Sequence, residues 1–533
     1  MSLDTFIHHL HFDIEKVNPP DTDVDWEDAP LPYKLYRGLP TVSLPTEIPL
    51  TLMRQKGQSD CNEPTIAQLG AILWYTYGVT QLSQAVMPMA SDEDEVLYFQ
   101  SKRRFLPSGG ALYPSELYVY LKLNDLGHGI YHYDAAHHRL VLLREGNFDS
   151  YLTRAVGWNC DLNACFGAMF VSTFFWKNFF KYHHFSYRLQ GLDAGVLLGQ
   201  LLSATKEVGI SSGICFQFLD RAINHLLGLS ELEESVYALV PLTVQPDLAW
   251  DSLKKADGKR REKAVTASEL IQELPQLFHA HYVKSKNRKD PLLPRRMNEA
   301  AMLESTSSFS SVVATNLSRV NGSRISLPVE DWPQIDFAEY CRKRLSPEID
   351  FMMGKIQLSQ LSRLLHEAIG SFSYRNDLGD GQEMIAKRLA LALCLHQVEG
   401  LVDGAYQFDH QANSLALIQH GDHRLKLQLG LSMDNVNLYQ APLCFHVIGD
   451  IDHQTSQSGP RGYRIQQMEA GIVVQRLLVS AYACGMGGHP LLGYDARLCD
   501  EIYQIRSKQK TSLIQIPVGP YRHRPWLQGG LHG

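Results

Sequence analysis

The chain repeats itself at long range, and this constrains its fold more than any local pattern does. YRLQGLDAGVLLGQLLSATKEVGISSG, from Tyr187, aligns without a gap on YRIQQMEAGIVVQRLLVSAYACGMGGH, from Tyr463, a shift of 276 positions (463 less 187). Leu189 falls on Ile465, Leu192 on Met468, Leu201 on Leu477 and Gly209 on Gly485. Apolar positions recur at helical spacing and each run ends near glycine, so each copy predicts a long amphipathic or buried helix. Upstream, GIYHYDAAHHRLVLL from Gly129 matches GAYQFDHQANSLALI from Gly404 at a shift of 275 (404 less 129). Both read as strand, turn, strand. A weaker match pairs TIAQLGAILWYTYG from Thr65 with IQLSQLSRLLHEAIG from Ile356, two predicted helices. Helix, strand, hairpin, helix and final strand in one order, twice, is the mark of a duplication.

The piece between the copies differs in character. It contains KKADGKRREK, KSKNRKDPLLPRR and STSSFSS, and reads as a charged, Ser-rich connector that is partly helical. The expected organisation is α+β: a first domain over 1–250, a connector over 251–330 and a second domain over 331–533. A hydrophobic content of 44% with 20% charged residues is ordinary for a globular protein. The net charge of −7 argues against bulk binding to nucleic acid. No apolar run reaches the length of a membrane span, and MSLDTFIHHLHFDIEK has neither the basic nor the apolar segment of a secretory signal. Nine scattered cysteines without a CxxC pair suit neither a disulfide framework nor a zinc site, so the expected setting is the cytoplasm with reduced thiols. His8, His9 and His11 of HHLHF have no evident partner ligands and read as structural, so no metal is expected.

One stretch raises a chemical question. FLPSGGALYPSELYVYL, from Phe105 to Leu121, ends in a β-rich run that reads as a buried strand. Directly before it stands Pro107-Ser108-Gly109-Gly110, preceded by Arg104. Adjacent glycines cost backbone entropy, so either they make an ordinary turn or the backbone comes close to something.

RFLPSGGALYP, GIYHYD, KYHHFSYRLQGLDAG and the closing TSLIQIPVGPYRHRPW resemble the SagB/ThcOx-type dehydrogenases of the FMN-dependent nitroreductase superfamily. The resemblance covers both halves and leaves out the connector. It implies two tandem nitroreductase-like domains, each a mixed, mainly antiparallel sheet flanked by helices, forming a pseudo-dimer within one chain. It also implies FMN, because ordinary members are homodimers with flavin at the dimer interface. There, one protomer supplies the Pro-Ser loop at the ring. The other supplies an Arg-x-Ser and terminal basic residues at the phosphate.

Compared on that pattern, the halves have complementary losses. The first keeps Arg104, Pro107, Ser108, Gly109 and Gly110, whereas the matching RNDLGDGQEMIAKR has no such loop. The second keeps Arg344-Leu345-Ser346, with Arg342 just before it, and the terminal Arg522 and Arg524. The first half ends in ALVPLTVQPD, without a cation. Convergent guanidinium groups suit a phosphate, and glycines suit a ring approached by main chain. The expectation is one intact composite FMN site and one dead site. Glu348 departs from the family pattern, which often has a basic residue there. Gly487-Gly488-His489-Pro490 reads either as a lining of the flavin face or as a turn ending a helix.

Lys181-Tyr182 matches the Lys-Tyr dyad of azoline-oxidising members, and the aligned residues of the second half are Gln457 and Ser458. Removing hydride and proton from adjacent ring atoms needs a base, and burial or a neighbouring charge tunes it. Either residue can be that base. His183 and His184 are expected on the surface or in a substrate pocket. The leading reading is an FMN-dependent oxidase or dehydrogenase. It would turn thiazoline or oxazoline rings of a peptide or carrier-bound intermediate into thiazole or oxazole, with oxygen restoring the flavin. An NAD(P)H-dependent nitro- or quinone reductase and a flavin-free scaffold subunit of a biosynthetic complex are the alternatives. Association with other biosynthetic enzymes, or of two such chains with each other, is compatible with the sequence.

Overall fold

The computed structural model describes residues 1–18, 23–54, 64–88, 96–255, 264–312, 323–379, 382–523 and 528–530. Two sheets lay out their strands in one order. In the first, Thr41–Ser43, Arg139–Glu145, Gly129–Asp134, Ser115–Leu121, Gly167–Phe174, Glu234–Thr243 and Ser211–Ile214 lie side by side. In the second the sequence is Arg324–Ser326, Ser414–His420, Gly404–Asp409, Ala390–Leu395, Leu443–Asp450, Lys510–Gly519 and Gly487–Gly488. Gly167–Phe174 and Leu443–Asp450, Glu234–Thr243 and Lys510–Gly519, and helices Asp220–Leu227 and Ala496–Tyr503 all keep the offset of 276. The fold is α+β, two copies of one mainly antiparallel unit.

Each half also lends strand to the other. Ser373–Asn376 of the second half pairs parallel with Ser211–Ile214, and Gln382–Met384 extends the same sheet. Gln528–Gly530 pairs antiparallel with Gln81–Pro88, one arm of a first-half hairpin completed by Val96–Arg103.

The repeated helices, Ser186–Val208 and Pro460–Ala483, cross at the centre. They are buried nearly all round, so they read as buried rather than amphipathic helices. Glycine permits the crossing. A Cβ on Gly195 would lie 2.0 Å from the Met468 carbonyl oxygen, and one on Gly471 would lie 2.3 Å from that of Leu192. Tyr187 stacks on its repeat partner Tyr463, with centroids 5.8 Å apart and planes 13° from parallel. These two pairs mark an approximate two-fold axis.

Alternation along Ser115–Leu121 divides the burial. Leu117, Val119 and Leu121 face a core that runs through the long helices into the second half. Tyr118 and Tyr120 face an outer core covered by Asp149–Ala155, Asp220–Leu227 and Ala267–Gln272. That last helix lies in the stretch expected to be a connector. Ala267, Leu270 and Met297 are fully buried, and Arg324–Ser326 pairs with Ser414–Ala416, so segments within 251–330 are packed structure. No helix among the described residues is long and apolar enough to cross a membrane. In helix Leu3–Phe12, His11 is buried against Thr511 at 2.9 Å.

Candidate active site

The Pro-Ser-Gly-Gly loop enters the first sheet between the halves. Arg104, expected at the cofactor, is turned inward and is 1% exposed. Its guanidinium donates to the Tyr77 carbonyl and, at 2.7 Å, to the Pro32 carbonyl, and lies 3.8 Å over the Tyr77 ring. A buried cation needs such acceptors, and here they make Arg104 a strut beneath the loop. Phe105 stacks on Tyr75 at 5.6 Å.

Ser108 Oγ donates to Asp193 Oδ2 at 2.6 Å and accepts from the Tyr113 amide at 3.0 Å. The Gly109 amide donates to Asp193 Oδ1 at 3.2 Å. Both groups expected to face a ring are thus tied to a carboxylate on the long helix. The glycines serve close approach by the protein itself. A Cβ on Gly109 would sit 2.8 Å from Leu189 Cδ2, and one on Gly110 would sit 2.5 Å from the Tyr182 hydroxyl and 3.1 Å from Lys181 Nζ. Gly110 has φ +63°, in the left-handed region that glycine tolerates.

Lys181 and Tyr182 close helix Trp176–Tyr182 and sit over that glycine. Lys181 Nζ lies 4.9 Å from the Tyr182 ring centroid and 5.3 Å from that of Trp26. Burial disfavours the charged form of each and separates their proton affinities. The Lys181 ammonium is pushed below its ordinary range. The Tyr182 phenol is pushed up to about 12, by burial first and then by Asp193. Asp193 itself is pushed up to about 7 by burial, against the opposing bonds from Ser108 and Gly109.

The second half meets the loop from the other side. Arg344 Nε donates to the Phe105 carbonyl, and Arg344 Nη1 donates to Ser346 Oγ at 3.2 Å. Arg342, on helix Phe337–Lys343, faces Tyr75, and its Nη1 is buried without a hydrogen-bond partner among the described residues. Gly487 and Gly488 form an edge strand against Val518 and Gly519, while the helix-ending left-handed residue is Gly485. A Cβ on Gly487 would lie 2.6 Å from Pro347 Cγ and 2.9 Å from the Tyr521 ring, so this glycine lets the chain after Ser346 pack down. His489 Nδ1 donates to the Pro347 carbonyl at 2.6 Å. The Arg522 amide bonds the Asp350 carbonyl at 3.0 Å and its side chain is exposed. Arg524 lies outside the described residues.

The matching place in the other half is filled. At the shift of 275, Glu383, Met384 and Ile385 stand where Ser108, Gly109 and Gly110 stand, and at 276 Glu469 replaces Asp193. Arg388 binds Glu469 Oε1 through Nη2 at 2.6 Å and Glu383 Oε2 through Nη1 at 2.6 Å, and Tyr374 donates to Glu469 at 2.7 Å. The Arg388 and Glu469 side chains are 1% and 0% exposed. A buried ion triad occupies the space of the second loop.

Sequence reasoning passed over Asp193. Its signal was present: an acidic residue inside a buried helix, with an acidic residue at the same place in the repeat.

No family model matches the chain. Over 199 residues it is 23% identical to a protein of Methanocaldococcus jannaschii that carries a nitroreductase name, covering 37% of this chain and 98% of that protein. Over 139 residues it is 27% identical to the trifolitoxin-processing protein of Rhizobium leguminosarum bv. trifolii, covering 25% of this chain and 37% of that one. A crystal structure of a nitroreductase-named protein from Anabaena variabilis superposes along 98% of this chain and 100% of its own, with a TM-score of 0.72 and 21% identity. The fold is the nitroreductase fold, in a two-unit form shared with that structure.

Proposed function

We propose that the chain is an FMN-dependent oxidoreductase with one composite flavin site, and that it oxidises thiazoline or oxazoline rings of a peptide or carrier-bound intermediate. The observation that carries this reading is the meeting of both halves at one loop. Arg344 of the second half reaches Phe105, while Lys181 and Tyr182 of the first half sit over Gly110. The residues fit the cofactor. Arg342 Nη1, without a hydrogen-bond partner among the described residues, is a buried cation donor suited to a phosphate, and Arg344, Ser346 and the exposed Arg522 add donors from the same half. Ser108 through Gly110, fixed by Asp193, form the ring-side wall. The filled space at Glu469 and Arg388 supports one flavin per chain.

Oxidising an azoline removes two electrons and two protons, one C–H as a hydride and one as a proton. Bound FMN supplies the two-electron acceptor, which dioxygen restores with formation of hydrogen peroxide. The proton goes to Lys181 Nζ, whose ammonium burial pushes below its ordinary range, which favours the amine as acceptor. Tyr182, with its phenol pushed up to about 12, stays protonated and orients the ring by donating a hydrogen bond. The kinship with a protein named for trifolitoxin processing is in line with a peptide substrate and with partner enzymes around it.

The test compares released FMN with chain concentration, then follows peroxide formation from an azoline-containing peptide. One FMN per chain, with turnover lost in Lys181→Ala and flavin retained, is the expected result. Two FMN per chain would refute the composite site. Loss of flavin in Lys181→Ala would make that residue structural, and rapid turnover with NAD(P)H and quinone but none with azoline would favour a reductase.

A further inference from the structure

Helix Trp176–Tyr182 is seven residues long, yet it carries both Lys181 and Tyr182 to Gly110. A helix this short is marginal by itself, so tertiary contacts must fix it. Its first three residues are tied. Trp176 Nε1 donates to Ser285 Oγ at 2.9 Å, and Asn178 Oδ1 accepts from Gln190 Nε2 on the long helix at 2.7 Å. Between them stands Lys177, one turn before Lys181, with a side chain 3% exposed. Its Nζ donates to the Glu116 carboxylate, to the Tyr113 carbonyl at 3.3 Å and to the Ser115 carbonyl at 3.4 Å. Three acceptors thus meet the three hydrogens of one ammonium. Glu116 Oε2 in turn bonds His132 Nε2 at 2.8 Å, and both of those side chains are buried.

These acceptors close the Pro-Ser-Gly-Gly loop. The Tyr113 amide donates to Ser108 Oγ, and the Tyr113 hydroxyl accepts from the Arg104 amide at 3.1 Å. Ala111 and Tyr113 have φ of +56° and +50°, left-handed values that are costly for residues with a Cβ. Such backbone persists where its surroundings over-determine it, and the Lys177 ammonium reaches it from the helix of Lys181 and Tyr182. The second half gives the comparison. Glu116 lies opposite Ser172, and Ala390 lies opposite Ile448, which is 276 positions beyond Ser172, so Ala390 takes the place of Glu116. His453 takes that of Lys177 at the same offset, and it bonds Gln466 at 2.8 Å. The half without the Lys-Tyr pair also lacks this ion pair. Resting on the reading that Lys181 and Tyr182 act at the flavin, we propose that Lys177, held by Glu116, is a positioning residue. It locks their helix to the loop and so sets where Lys181 and Tyr182 stand over Gly110.

Two variants of the full chain separate positioning from support of the fold. Lys177→Met leaves a buried carboxylate without its ammonium and should lower the melting temperature. Adding Glu116→Gln removes both charges and should restore most of it, because a buried ion pair can be exchanged for neutral groups at little cost. Turnover of an azoline-containing peptide should not return. In the double variant kcat should stay at least about tenfold below wild type with KM and FMN content unchanged, since misplaced groups lose rate rather than binding. Recovery of kcat along with the melting temperature would overturn the proposal and leave the pair a role in stability alone. Hydrogen exchange, read by mass spectrometry on flavin-saturated protein, follows the tether without turnover. Amides of Phe179 to Tyr182 should be protected in wild type and exchange at least about tenfold faster in the double variant, with helix Ser186–Val208 unchanged. Equal exchange in the two proteins would overturn the tether. If wild type oxidises no azoline, the reading of Lys181 and Tyr182 fails, and exchange alone decides whether Lys177 fixes their helix. If the double variant does not fold, wild type decides: exchange of these amides as fast as in an unstructured peptide would show that nothing holds the helix.

Discussion

Replacing Asp193 with Asn tests the anchoring of the loop. The carboxyl is buried beneath Ser108 and Gly109, and burial raises its pKa from 3.8 to about 7. The native state therefore binds a proton that the unfolded chain releases. Below about pH 4 this favours the fold in full; the contribution is lost as pH rises, and above about pH 7 it changes no further. Between pH 5 and pH 8 the wild-type protein crosses two units of this window, at about 1.36 kcal/mol each, and should lose about 2.7 kcal/mol of stability through this group. Asparagine has nearly the same shape and does not titrate. It gives up part of the hydrogen bonding, which costs about 1 kcal/mol at either pH and cancels in the comparison. Asp377 and Asp500, each pushed up to about 6 by burial, contribute a slope of the same sign to both proteins and cancel as well. Urea unfolding of wild type and Asp193→Asn at the two pH values measures the difference, extrapolated linearly. The variant should gain about 2.7 kcal/mol on the wild type from pH 5 to pH 8. An equal pH dependence in the two proteins would show that Asp193 ionises at an ordinary value, and would refute burial as the state of the loop anchor.

Other expectations follow from single contacts. Gly110→Ala puts a methyl group 2.5 Å from the Tyr182 hydroxyl at φ +63°, so turnover should fall at least about tenfold while flavin stays bound; an unchanged rate would show that the approach is not needed. Arg344→Ala should weaken FMN binding by about 1.5–3 kcal/mol, roughly ten- to a hundredfold, in a fluorescence titration, and unaltered affinity would remove Arg344 from the site. Arg388→Met leaves Glu469 buried without its cation and should cost about 3–5 kcal/mol by denaturation, with FMN still at one per chain; a second equivalent would show that the triad is what keeps flavin out.

Much of this was legible because the chain says most things twice. The 276-position offset found in one helix holds for strands and a helix on either side of it, since duplicated units keep their internal spacing. Local chemistry marked the Pro-Ser-Gly-Gly loop and the family resemblance marked the Lys-Tyr pair, and the structure brings the two together at Gly110. Partners far apart in sequence were not legible. Nothing in SYRN announces a parallel pairing with Ser211–Ile214, because a short strand fits many edges. Arg104 and Arg344 look alike in a string, and only the fold turns one to carbonyls beneath the loop and the other across it. The separation of Lys181 from Tyr182 in proton affinity likewise depends on burial, which a dipeptide does not encode.

The two-fold arrangement lies within one chain, its halves tied by exchanged strands and a shared core. When two identical chains make such a site, every substitution is made twice, once in each pocket. Here Ser108 and Glu383 are separate codons, as are Asp193 and Glu469, so one pocket can drift freely while the other is held. Dilution does not part the halves either, because their encounter is intramolecular. The composite pocket proposed above would keep its full complement of residues at any protein concentration, with its twin left as room for change.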